Sequence, residues 1–417
     1  MLSAGYVFCT RCGRATADAY YHCGEYNCWV QLKRGIFGKI YAELYTPKHL
    51  KSDTTVESVT YCAPSKRTRV RTQHQIQISC KLRNGITRNA NFTRSCPFCV
   101  GTHPDWTGVH NLIPGLGDYP TYVIGMIGNR TVGKTSWIES VSYPENIRKV
   151  NSGKLRNTGY SGYILNINQP GEAKVRAPKA TPLNDSGSTN IINILRKDEG
   201  KKVNETVAQV LLLDFAGELF KRENRDVYNN SVRRLFDGRD GVEGKEGFDG
   251  VDGIILMTDP QDYCLQGGIN DVFNSVNGTS ALFTHVPIAF VMNKIDLMFN
   301  DPPEQHLGEN PSYPCVPLFS EITFNNLQGE WMYQKDVMVK RIDLENALLK
   351  KILPLIAHTE TYAKCAGFMV KSTSVTPDTE ANEEQELRVN YSDTLNLMDP
   401  LLWILNELDI FPIENLK

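Results

Sequence analysis

The stretch that most constrains this chain runs Gly128-Asn129-Arg130-Thr131-Val132-Gly133-Lys134-Thr135. Ahead of it, Tyr122-Val123-Ile124-Gly125-Met126-Ile127 reads as a short buried strand, and behind it Ser136-Trp137-Ile138-Glu139-Ser140 can start a helix. A G-x-x-x-x-G-K-[ST] pattern carries chemical meaning in that strand–turn–helix context. The glycines let successive backbone N–H groups curl around a β-phosphate, and the helix N-terminus adds its partial positive charge. Lys134 then reaches the β- and γ-phosphates, while the Thr135 hydroxyl ligates Mg²⁺. Residues 128–136, Ser136 included, form the expected phosphate loop.

Two later motifs stand at the ends of further apolar runs. Asn190 to Leu195 and Ala208 to Leu213 read as strands, and the second leads into Asp214-Phe215-Ala216-Gly217-Glu218, a D-x-x-G. There the Asp214 carboxylate orders Mg²⁺ through water, and the Gly217 N–H senses a γ-phosphate. Pro287 to Met292 leads into Asn293-Lys294-Ile295-Asp296, an N-K-x-D. Asp296 accepts two hydrogen bonds from the N1–H and 2-amino group of guanine, and the Lys294 stem packs on the ring. Adenine has an acceptor where guanine has that N1–H, so the carboxylate would face a lone pair; unpaired buried groups of this kind discriminate strongly.

A length of 417 residues allows two domains with ample core, and 41% hydrophobic with 22% charged residues is ordinary for a soluble protein. The N-terminus lacks a basic n-region, and no apolar run approaches the roughly 20 residues that span a bilayer, so a cytoplasmic protein without a membrane span is expected. The net charge of −2 conceals an asymmetry: residues 1–110 carry 15 Lys+Arg against 6 Asp+Glu, +9, and the rest 30 against 41, −11. That shift places a boundary near residue 110. The expected layout is a cysteine-rich module over 1–110, a Gly- and Pro-containing linker over 111–120 and a nucleotide domain over 121–417.

Eight of the eleven cysteines precede residue 100. At that density a reducing compartment favours metal over disulfides. Cys9-Thr10-Arg11-Cys12 and Cys96-Pro97-Phe98-Cys99 are C-x-x-C turns that present two thiolates to one tetrahedral ion, and Cys23 and Cys28 form a third pair with looser spacing. Two groupings follow: a single Zn²⁺ site drawn from four of Cys9, Cys12, Cys23, Cys28, Cys96 and Cys99, or two sites that recruit Cys62 and Cys80. Cys80 alternates with Ile76, Ile78 and Leu82 ahead of an Asn84-Gly85 turn and so reads as a small core residue. Lys66, Arg67, Arg69 and Arg71 lie together, the last three on one strand face, either a nucleic-acid contact or a solvated face that offsets metal-bound thiolates.

The order of phosphate loop, D-x-x-G and N-K-x-D resembles GTPases of the translation-factor and Ras-like superclass. That resemblance implies an α/β fold with a mostly parallel sheet flanked by helices, here preceded by a small zinc-ribbon-like β-rich module. It implies a last base-contacting loop at Ser372 and Thr373, after Phe368-Met369-Val370, and a Mg²⁺-binding switch threonine at Thr181, with Thr189 as the alternative. Two positions depart from the pattern: Glu218 stands where many relatives have a water-orienting Gln, and Arg130 occupies a loop position that is often small. Either Arg130 neutralises transition-state charge in cis while Glu218 orients water, or both face solvent. The C-P-x-C, the Ala180-Thr181-Pro182-Leu183 stretch and the terminal Met398-Asp399-Pro400-Leu401-Leu402-Trp403-Ile404-Leu405 are similar to bacterial "double-GTPase" proteins of conflict systems. The motif order points to a GTP-hydrolysing switch with GTP or GDP and Mg²⁺ bound, and the double-GTPase likeness implies a protein partner that is a second GTPase and a role in defence or signalling. The alternatives are a GTP-binding adaptor with negligible hydrolysis and a nucleic-acid-associated GTPase.

Overall fold

In the computed structural model, the residues described are 1–61, 73–100, 109–157, 163–167, 189–196, 204–215, 250–260, 286–295, 342–350, 353–377, 387–390 and 394–411, with short breaks that include Arg11, Gly13, Arg130 and Thr373. The described part divides into two compact units between Thr121 and Tyr122.

The first unit is built of short antiparallel strands: β1 (Val7–Phe8), β2 (Ala15–Thr16), β3 (Ala19–Cys23), β4 (Cys28–Arg34), β5 (Ile40–Tyr45), β6 (Val56–Tyr61), β7 (Gln75–Leu82), β8 (Thr87–Cys96) and β9 (His110–Asn111). β1 pairs with β2, and the main sheet runs β5-β4-β3-β8-β7-β6, with β9 added on β8. This sheet is nearly closed and barrel-like. Alternation explains it. On β7 Ile76, Ile78 and Cys80 are buried while Gln75 and Gln77 are exposed, so one face of the strand enters the core. Tyr21, Val30, Phe92, Cys23 and Cys28 fill the same core. Cys80 is thus a core residue, as its alternation suggests. Residues 111–120, expected as a linker, group with the first unit and contribute buried Leu112 and Leu116.

The second unit contains β10 (Thr121–Ile127), α1 (Lys134–Val141), α2 (Pro144–Asn157), β11 (Tyr163–Ile167), β12 (Thr189–Arg196), β13 (Glu205–Asp214), β14 (Gly253–Thr258), β15 (Ile288–Met292), α3 (Pro354–Thr359), β16 (Cys365–Met369), a hairpin of β17 (Ser374–Pro377) and β18 (Leu387–Asn390), and α4 (Asp399–Glu407). Its sheet order is β11-β12-β13-β10-β14-β15-β16. β10 with β14, β14 with β15 and β15 with β16 are parallel, whereas β12 is antiparallel to both β11 and β13. β14, β15 and β16 are buried along their whole length, as strands covered on both faces must be.

The expected mostly parallel α/β fold is therefore incorrect. Among the described residues strand outweighs helix, 45% to 20%, and they combine a near-closed antiparallel sheet with a mixed, curled one. Part of the reason is the connection after β12. Only residues 197–204 join Arg196 to Glu205, and a parallel crossover needs about a dozen residues or more. The two strands can only pair as a hairpin. The remainder of the error lies in the first unit, whose strands form a sheet larger than a zinc ribbon.

Among the described residues no helix is long and apolar enough to cross a membrane. The core of the second unit joins the sheet to α1 and to the C-terminal α4, whose Leu401, Leu402, Trp403, Ile404 and Leu405 are all buried. Trp137 of α1 donates its indole N–H to the Leu397 carbonyl at 3.1 Å, fastening the helix that begins at Lys134.

Candidate functional site

In the first unit, Cys9, Cys12, Cys96 and Cys99 are buried, and their sulfurs all lie within 4.8 Å of one another. Two turns bring them there. Cys9 and Cys12 flank the turn after β1, closed by the Cys9 N–H bonding to the Arg14 carbonyl at 2.9 Å. Cys96 ends β8, and Cys99 follows it in the next turn. A tetrahedral site with metal–sulfur bonds of about 2.3 Å separates its sulfurs by about 3.8 Å; Cys12 Sγ and Cys96 Sγ stand 3.6 Å apart. All four are reduced cysteines, outside any disulfide. The donor set and spacing therefore suit a soft divalent ion such as zinc.

The electrostatics point the same way. Burial pushes the Cys9 and Cys96 thiols well up, whereas hydrogen bonds from Cys12, Cys9 and Cys96 hold Cys99 down as the thiolate. A divalent cation bound among these sulfurs would favour their thiolate forms over the protonated ones. A fifth group adjoins it. His110 Nδ1 lies 3.2 Å from Cys9 Sγ, carried on β9 directly opposite Cys96. Sequence reasoning missed His110 because it stands at the edge of the presumed linker.

Cys23 and Cys28 are not part of this group. They face each other across the β3–β4 hairpin inside the apolar core, and burial pushes the Cys28 thiol up to about 12. Cys62 and the basic stripe Lys66, Arg67, Arg69 and Arg71 lie outside the described residues.

In the second unit the phosphate-loop residues lie at one edge of the sheet. β10 ends at Ile127, and α1 begins at Lys134 with Gly133 as N-cap at φ 92, with no side-chain cap and no acidic residue in its first turn. Gly128 is required by space, since a Cβ there would strike the Met257 carbonyl oxygen. At Gly133 a Cβ would stand 2.5 Å from Asn293 Nδ2. The Lys134 ammonium, on a residue only 7% exposed, donates to the Gly128 and Asn129 carbonyls at 2.9 Å each. Thr131 is left-handed, φ 71, and Val132 is buried. Ser136 lies in the first turn of α1.

The other motifs meet this loop. Asp214 ends β13 fully buried, and Thr135 donates its hydroxyl to Asp214 Oδ2. Phe215 N–H reaches the Met126 carbonyl at 3.4 Å, so β13 and β10 finish at the same edge. Asn293, after β15, donates to the Val132 carbonyl at 2.9 Å and accepts from Ser372 N–H at 3.2 Å and Ser372 Oγ at 2.7 Å. Lys294, at φ 56, donates to the Thr131 carbonyl at 2.5 Å and pairs with Asp259 at 2.6 Å. Asp259 appears in none of the sequence motifs.

Gly128, Asn129, Thr131, Val132, Gly133, Lys134, Thr135, Asp214, Asn293, Lys294 and Ser372 are thus gathered at the ends of β10, β13, β15 and β16. Arg130, Thr181, Gly217, Glu218, Asp296 and Thr373 lie outside the described residues, as does the side chain of Thr189. Comparison of the chain with models of known protein families and with curated proteins gave no match.

Proposed function

We propose that the second unit binds a guanine nucleotide with Mg²⁺ and hydrolyses its γ-phosphate, serving as a switch toward a protein partner. The observation that carries this reading is the meeting of Thr135 with Asp214 and of Val132 with Asn293, which joins three sequence-distant motifs at one edge. A nucleotide needs that convergence: N–H groups and an ammonium for phosphate, a hydroxyl with a carboxylate for the cation, and an amide–lysine pair for the base. Lys134 and the uncapped start of α1 would bind the β- and γ-phosphates, displacing the lysine from the Gly128 and Asn129 carbonyls. Thr135 and Asp214 would hold Mg²⁺, which supplies charge neutralisation on the phosphate oxygens when bound. Lys294 and Asp296 would read the base. Hydrolysis rests on Arg130, Thr181, Gly217 and Glu218, whose support is the sequence order.

In the same reading the Cys9, Cys12, Cys96 and Cys99 cluster holds a structural zinc ion, and its reduced thiols suit a reducing, cytoplasmic setting. A second GTPase as partner and a role in bacterial defence follow from the resemblance of the motifs. Single-turnover phosphate release with Mg²⁺·GTP tests the enzymatic part: a burst that requires Mg²⁺ is expected. Tight GTP binding with no release would leave an adaptor in place of an enzyme.

A further inference from the structure

Asp259 follows the end of β14 and is 2% exposed. A carboxylate at that depth requires a partner, and Lys294 Nζ lies 2.6 Å from its Oδ2. The same ammonium donates to the Thr131 carbonyl at 2.5 Å. One cation therefore ties the end of β14, the loop after β15 and the phosphate loop after β10, three neighbouring strands of the sheet. Lys294 (φ 56) and Thr131 (φ 71) are both left-handed without being glycine, a strain that persists only where surrounding contacts impose it. The Lys294 stem runs beside Gly133, its Cε 3.9 Å from where a Cβ on that glycine would stand. With the ammonium tied, the methylenes are the part of this one-third-exposed side chain left to meet a ligand.

We propose that Asp259 is a positioning residue for base recognition: it anchors the Lys294 ammonium so that the stem is held ready for a purine ring. This rests on the nucleotide reading above. An unanchored lysine must lose its rotamer freedom when the base arrives, which weakens base binding and leaves the phosphate contacts of Lys134 and α1 untouched. The buried charge also gives direction, because a neutral amide in its place still accepts a hydrogen bond but no longer fixes the cation as an ion pair does.

The test compares two ligands, Mg²⁺·GTP and Mg²⁺·tripolyphosphate, each competing against a fluorescent GDP on the full chain. Asp259→Asn is expected to weaken GTP about tenfold while tripolyphosphate changes less than about twofold. Lys294→Met, made at the exposed end of the same pair, should give the same selective loss, and the double variant should be no worse than either single one. Equal weakening of both ligands in a variant that melts like wild type, or no weakening of either, would overturn the proposal. If Asp259→Asn fails to fold, an unchanged GTP-to-tripolyphosphate ratio in Lys294→Met overturns it equally. A wild-type chain that binds neither ligand would instead refute the nucleotide reading itself.

Discussion

In the first unit four buried sulfurs stand within 4.8 Å of one another, and burial pushes the Cys9 and Cys96 thiols well up. At the edge of the second unit the polar groups are matched inside the chain: Lys134 by loop carbonyls, Thr135 by Asp214, Asn293 by Val132 and Ser372, Lys294 by Asp259. The first arrangement is a donor set that could hold a metal such as zinc, whose binding would displace the thiol protons. On the nucleotide reading proposed above, the second would exchange these internal partners for ligand atoms. The two regions are thereby told apart by the atoms they gather: buried sulfurs in the first, paired oxygen and nitrogen groups in the second.

Metal removal should break that comparison most violently. Chelation, or Cys96→Ser, is expected to unfold the first unit, since structural zinc contributes on the order of 10 kcal/mol of folding free energy in small domains. Hydrogen exchange should then become fast over Gln75–Leu82 and Thr87–Cys96, while Ile254–Met257 and Ile288–Met292 stay protected. Loss of protection in both units together, or in neither, would contradict the distinction.

Thiol reactivity sharpens it within one unit. Burial raises Cys28 to about 12, as it does Cys365. The sign is that of an acid with a disfavoured anion: the thiolate appears only as pH rises toward 12, so at pH 8 roughly one such thiol in ten thousand is ionised. Alkylation at pH 8 followed by peptide mapping should leave Cys28 and Cys365 unmodified in the native chain, and label Cys9, Cys12, Cys96 and Cys99 only after chelation.

At the binding edge, Lys134→Ala should weaken Mg²⁺·GTP by about 100-fold, the usual worth of charge-assisted hydrogen bonds to phosphate, without unfolding the second unit. Calorimetric titration beside a melting curve checks both halves. Smaller still, Arg130→Ala should slow single-turnover hydrolysis about tenfold with little change in affinity, and Glu218→Gln should not add to it. Unchanged or faster hydrolysis would rule out a role for Arg130 in cis.

The meeting of the strand-end motifs was more legible in the sequence than the fold that holds them. Phosphate loop, Asp214 and Asn293-Lys294 are strand-end motifs whose chemistry requires their spacing, so they could be placed without knowing strand directions. The direction of the sheet's strands was not legible, because apolar runs such as Asn190–Leu195 and Ala208–Leu213 carry no mark of direction; only the short connection at 197–204 points to the antiparallel pair. All four cysteines of the candidate metal cluster were visible for a comparable reason, though not their grouping. Two intervening residues in Cys9–Cys12 and Cys96–Cys99 make a metal-binding turn, but nothing local says that turns 84 residues apart meet. Four intervening residues between Cys23 and Cys28 make a hairpin end that sets the cysteines opposite each other in a core. Treating them as ligands also hid the apolar alternation of β3 and β4. Asp259 and His110 had no motif around them and became visible only through their partners, Lys294 and Cys9.

The most direct measurement is an equilibrium competition of GTP and ATP against fluorescent GDP on wild-type chain in Mg²⁺, repeated with xanthosine triphosphate on Asp296→Asn. The account predicts that GTP displaces the probe at concentrations at least about 100-fold below ATP, because adenine would leave the Asp296 carboxylate facing a lone pair. It predicts that Asp296→Asn turns that preference toward xanthine, whose 2-oxo group accepts from the new amide. Equal displacement by GTP and ATP, or no displacement by either, would contradict it.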